Sequence, residues 1–105
     1  MALLDLEQAF HQQMHQVYEQ AKSECGYTAT RFLQMLSEHG GVATAKRLLG
    51  SAKYPDGLTR LWEEKRLDIS MEATVLQEPW RQLFTDGELE MARKRLKELG
   101  YSADG

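Results

Sequence analysis

Leu6, Phe10, Met14, Val17 and Ala21 recur at spacings of four, four, three and four residues. An α-helix completes a turn in about 3.6 residues, so these five side chains share one stripe along one face. A stripe of that length has to be buried against other elements. No stretch of the chain alternates apolar and polar residues cleanly over five or more positions, so no strand is expected to cover it. The expected fold is therefore all-α: a compact orthogonal bundle of six to seven helices in a single domain.

Start and stop signals divide the rest of the chain. Asp5 with Gln8 is a loose capping box for the first helix, and Cys25-Gly26 is its expected end. Thr28 or Thr30 is expected to cap a second helix carrying Phe32, Leu33, Met35 and Leu36, which Gly40-Gly41 stops. A third is expected over Val42–Leu49, with Val42, Ala45, Leu48 and Leu49 inward and Gly50 closing it. Residues 51–56 read as a loop around Tyr54-Pro55. Asp56 is the expected cap of a fourth helix bearing Leu58, Leu61 and Trp62 and ending near Lys65.

Ser70 is expected to cap a fifth helix with Met71, Val75 and Leu76. Pro79 fits the first position of a brief sixth with Trp80, Leu83 and Phe84. Thr85 with Glu88 is a strict capping box, opening a last helix with Leu89, Ala92, Leu96 and Leu99 before Gly100. One helical domain is expected over residues 1–100, with 101–105 as a frayed tail.

The sequence of 105 residues is long enough to bury a core without staples. Its single cysteine, Cys25, excludes an intramolecular disulfide and fits a reducing compartment. The first residues lack the basic and apolar regions of a signal peptide, and no apolar run approaches the roughly 20 residues that span a bilayer. A cytoplasmic location and no membrane partner are expected. Net charge is −3, but unevenly spread: residues 1–39 carry −3, residues 40–66 carry +3 and residues 67–105 carry −3. The middle of the chain is the one basic block.

Several stretches resemble a family of small, functionally uncharacterised bacterial proteins. They are Arg31-Phe32-Leu33-Gln34-Met35-Leu36, His39-Gly40-Gly41-Val42, Ala45-Lys46-Arg47-Leu48-Leu49, Gly57-Leu58-Thr59-Arg60-Leu61-Trp62, Arg66-Leu67-Asp68, Met71-Glu72-Ala73 and Leu83-Phe84-Thr85. The similarity runs over about residues 6–99 and consists of core positions, caps and a few charges. It implies a bacterial intracellular origin. It transfers no activity and no functional residue.

No residue set carries a catalytic pattern. His11 and His15 lie four apart, as in some zinc sites, but the stretch His11-Gln12-Gln13-Met14-His15 lacks the glutamate of a His-Glu-x-x-His motif, and a polar helix flank accounts for it. Cys25 sits at a helix C-terminus, where the dipole raises a thiol pKa. The acids Glu63, Glu64, Asp68, Glu72 and Glu78 are assigned to caps and exposed helical positions, paired with Arg60, Lys65, Arg66 and Arg81. Arg93-Lys94-Arg95 and Lys97 are read as solvated cations complementing the dipole of the last helix. No enzyme, cofactor or metal is expected.

Two binding functions compete. The first is a non-enzymatic protein–protein interaction module, working with another protein or by self-association, with Tyr54 as its expected exposed aromatic beside Lys53 and Arg60. It requires an exposed apolar patch. The alternative is a helix-turn-helix-like nucleic-acid binder using residues 42–66. Thr59, Arg60 and Glu63 would then face a groove, with Lys46, Arg47, Lys53, Lys65 and Arg66 on phosphates. Against it stand the long connection over residues 51–56 and the two acids, Glu63 and Glu64, on the reading helix.

Overall fold

The computed structural model describes residues 3–51 and 56–101. Its elements are α1 (Leu3–Cys25), α2 (Thr30–His39), α3 (Gly41–Leu49), α4 (Asp56–Glu63), a 3-10 turn over Leu67–Ile69, α5 (Met71–Val75), a second 3-10 turn over Trp80–Leu83, and α6 (Asp86–Glu98). The described residues contain no strand. The radius of gyration, 12.6 Å, matches the roughly 13 Å of a globule of this length. No helix among the described residues is long and apolar enough to cross a membrane.

The stripe on α1 organises the core. Leu6, Phe10, Met14, Val17, Ala21 and Cys25 are all buried. Near its N-terminal end, Phe10 meets Trp80 at 5.6 Å and Phe84 at 5.3 Å between ring centroids, close to the separations that edge-on aromatic pairs favour. Further along, α2 and α3 fold onto α1 and onto each other, and α6 lies across α3 and α5.

Gly40 and Gly41 set the α2–α3 corner by different means. Gly40 takes φ +83°, and its N–H donates to Leu36 O at 3.0 Å, closing α2. Gly41 is the first residue of α3 and lies against the backbone of α1. A Cβ placed on it would sit 2.6 Å from His11 Cα. With Ala45 fully buried one turn later, α3 presents small residues where the two helices meet.

Local signals hold at several ends. Ser70 Oγ accepts from Ala73 N at 3.1 Å and donates to Leu67 O at 2.6 Å. The capping box is complete: Glu88 N donates to Thr85 Oγ1 at 3.2 Å, and Thr85 N donates to Glu88 Oε1 at 2.8 Å. Glu88 Oε1 also accepts from Lys46 Nζ at 2.8 Å, tying the start of α6 to α3. Partial burial works against the Glu88 charge, but the Lys46 and Thr85 hydrogen bonds prevail and hold the carboxyl below its usual range. A depressed folded-state pKa adds stability above the unfolded value that is lost as pH falls through the folded value. Glu88→Gln is therefore expected to cost about 1 kcal/mol at neutral pH. Urea unfolding should show that difference shrinking as the solution is acidified below about pH 4.

Other boundaries differ from the expected ones. Helix α1 is already under way at Leu3, so Asp5 lies in its first turn. Neither Thr28 nor Thr30 caps α2: Ala29 holds that position, without a side-chain bond. Pro79 precedes a 3-10 turn and does not open an α-helix. Lys65 adopts φ 59° after α4, where Arg66 N donates to Leu61 O at 2.8 Å, a helix ending that usually calls on glycine. Tyr101, expected to fray, is half-buried against the core, and its N–H donates to Leu96 O at 2.8 Å. Residues 102–105 lie outside the described residues.

Candidate binding pocket

Helices α1, α2, α4 and α5 do not close fully on one another. Only Leu36 of α2 is fully buried; Phe32 and Met35 stand half-buried beside it. They face a pocket of about 530 Å³, within the range of small-molecule sites. Val17, Tyr18 and Ala21 of α1 form one wall, Leu58 and Leu61 of α4 another, and Leu48 and Met71 complete the apolar lining. Tyr27 leans over Gly57 at the edge, with its ring 3.6 Å from where a Cβ would stand.

The polar groups of the pocket are few. Arg31 and Arg47 line it, both exposed and neither in an ion pair among the described residues. Glu72 also lines it, only 2% exposed. Its Oε2 lies 3.5 Å from Arg95 Nη1, a charge contact whose geometry makes no hydrogen bond, and that oxygen has no hydrogen-bond partner. Burial pushes the Glu72 carboxyl up, against the lowering effects of its own backbone amide and of Arg95.

Arg95, also 2% exposed, supports this floor. Its Nη1 donates to Leu48 O at 2.9 Å, and its Nη2 donates to Ser51 O at 2.6 Å and Leu49 O at 3.4 Å. One buried guanidinium from α6 thus satisfies carbonyls at the C-terminal end of α3, groups that a helix end leaves without partners.

Three of the six cations of the basic block, Lys46, Arg60 and Arg66, approach carboxylates of the chain itself, and they are divided between two places. Lys46 holds Glu88 and lies over the Phe84 ring, 5.3 Å from its centroid. At the far end of α1, Arg66 bridges Glu24 and Asp68, whose hydrogen bonds push its pKa up. Arg60 approaches Glu64 at 3.4 Å, donates to Cys25 O at 3.4 Å and lies 6.0 Å from the Tyr27 ring centroid. Lys65 is exposed. Lys53 and Tyr54 lie outside the described residues. Helix α3 packs chiefly on α1, α2 and α6, and α4 chiefly on the 67–69 turn, unlike the directly packed pair of a helix-turn-helix.

The His11 and His15 rings sit 4.8 Å apart, edge to face, and both residues are half-buried. His11 Nδ1 is buried without a hydrogen-bond partner. Among the described residues no group of three His, Cys, Asp or Glu side chains stands ready to hold a metal ion. Cys25 is buried, and its thiol is pushed up by that burial and by Glu64.

Three residues depart from their sequence assignments. Glu72 is buried, not an exposed helical acid. Arg95 is buried, not a solvated cation at a helix end. The signal for it was present: Arg95 follows Ala92 by three residues and so falls on the buried stripe of Leu89, Ala92 and Leu96. Trp62, assigned inward with Leu58 and Leu61, is 47% exposed, the exposed large hydrophobic residue among those described. Comparison with family models, with curated proteins and with solved structures finds no match to this chain.

Proposed function

We propose that the chain is a non-enzymatic protein–protein interaction module, and that the pocket between α1, α2, α4 and α5 receives an apolar side chain of its partner. The observation that carries this reading is the joining of an apolar pocket of about 530 Å³ to two arginines, Arg31 and Arg47, that pair with no carboxylate among the described residues. Aromatics, methionine and arginine are the residue types enriched at protein interfaces. Tyr27, Phe32, Met35, Arg31 and Arg47 supply all three kinds around one concavity. A bacterial cytoplasmic setting, implied by the sequence resemblance, belongs to the same proposal.

Nucleic-acid binding has less support, because Lys46, Arg60 and Arg66 each approach a carboxylate of the chain itself.

The test uses 3-methylindole as a stand-in for an aromatic anchor. Titration of isotope-labelled protein is expected to shift the amide signals of Phe32, Leu61 and Met71 together, with Phe32→Ala weakening binding about fivefold or more. Shifts scattered over the surface, or equal binding by the variant, would count against the pocket.

A further inference from the structure

The pocket, the unpaired arginines and the exposed tryptophan can be read as two halves of one contact. Resting on the interaction reading above, we propose that the partner is a second copy of this chain, whose Trp62 enters the pocket.

Trp62 is a large aromatic side chain left 47% exposed, and tryptophan is among the residue types that anchor protein interfaces. It belongs to α4, the helix whose Leu58 and Leu61 line the pocket. Plug and socket therefore share one helix, as a two-fold contact requires when the same patch serves both partners.

The polar groups match as well. An indole N–H is a donor with no acceptor capacity. Glu72 lines the pocket, and its Oε2, covered in the free chain, is an acceptor without a donor that the indole reaches only as the lining shifts to admit it. Arg95 already opposes the Glu72 charge at 3.5 Å, so the floor favours a neutral donor over an ammonium, whose added charge would stay uncompensated. Beside Trp62, Glu63 is exposed and in no ion pair among the described residues, and the pocket-lining Arg31 and Arg47 are in the same state. Docking Trp62 brings the Glu63 carboxylate toward those guanidinium groups, with complementary charge on both halves of the dimer.

Two indoles and their rims make a small interface, so the dimer is weak, with a Kd on the order of 100 μM. Sedimentation equilibrium from about 10 μM to about 1 mM is expected to show monomer and dimer in exchange. Trp62→Ala, a change at an exposed position, is expected to raise the dimer Kd at least about tenfold with its helical signal intact. Arg31→Glu/Arg47→Glu should also weaken self-association, and mixing it with Glu63→Arg chains should restore association between the two. Self-association that is unchanged in Trp62→Ala overturns the proposal, as does a wild-type chain that stays monomeric throughout. Binding of 3-methylindole to the Trp62→Ala chain separates the two levels. A monomeric wild type whose pocket takes the probe removes the second copy and leaves the interaction module standing. A monomeric wild type whose pocket refuses the probe removes both.

Discussion

Arg95→Ala is expected to lower the free energy of unfolding by about 3–5 kcal/mol, the cost of breaking a buried charge pair from one side. Two sources of the loss lie among the described residues. The Glu72 carboxylate stays buried with no opposing charge, and the carbonyls of Leu48, Leu49 and Ser51 lose the guanidinium that bound them. Domains of this size have a total stability of only about 5–15 kcal/mol, so the variant should sit near its unfolding threshold. Removal of Arg95 leaves burial to act on Glu72 with less opposition, raising its folded pKa further above the unfolded value. A raised carboxyl pKa costs stability as pH rises from the unfolded value through the folded one. The deficit in urea unfolding should therefore be largest at neutral pH and shrink on acidification. Arg95→Met/Glu72→Leu should recover part of the loss, because neither charge of the pair is left facing a missing partner, but not all of it, because the α3 carbonyls remain orphaned. An Arg95→Ala chain within about 1 kcal/mol of wild type would show that the pair does not hold α3, α5 and α6 together.

Gly41→Ala should be the second costly change, at about 3 kcal/mol. Within a helix this exchange ordinarily stabilises by up to about 1 kcal/mol, so the sign itself is diagnostic. The new methyl would lie 2.6 Å from His11 Cα and 3.1 Å from His11 N. Both are backbone atoms and cannot rotate aside, so α1 and α3 must separate. Gly87→Ala is the control. Its nearest neighbour would be Thr85 Oγ1 at 3.9 Å, and it should gain about 0.5 kcal/mol. Thermal unfolding of the two variants side by side reads out the contrast. A neutral Gly41→Ala would mean that α1 and α3 are further apart than described.

What could be read in the sequence was what depends on neighbours along the chain. The α1 stripe, the Ser70 cap and the Thr85–Glu88 box rest on residues within one or two turns of each other, and each stands in the structure as expected. What was missed depends on residues far apart in the chain. Gly41 and Gly40 read as a helix stop, yet Gly41 is needed because the His11 backbone, thirty residues earlier, comes so close. Arg95 read as one of several cations at a helix end until its acceptors, more than forty residues away, gave it a different role. On sequence Glu72 falls among exposed acids, because a helix as short as α5 is too brief to display an apolar period; all five of its residues are buried. The pocket follows from the same limit. Half-burial of Phe32 and Met35 reflects a gap that α2 shares with residues of α4 and α5 far along the chain, which no local pattern records.

The proposed function places the partner between α1, α2, α4 and α5. Intermolecular nuclear Overhauser effects from bound 3-methylindole test it most directly. Contacts are expected from the indole ring to the methyl groups of Met35 and Met71, both of which line the pocket. Contacts confined to other surfaces, or no bound state at all, would contradict it.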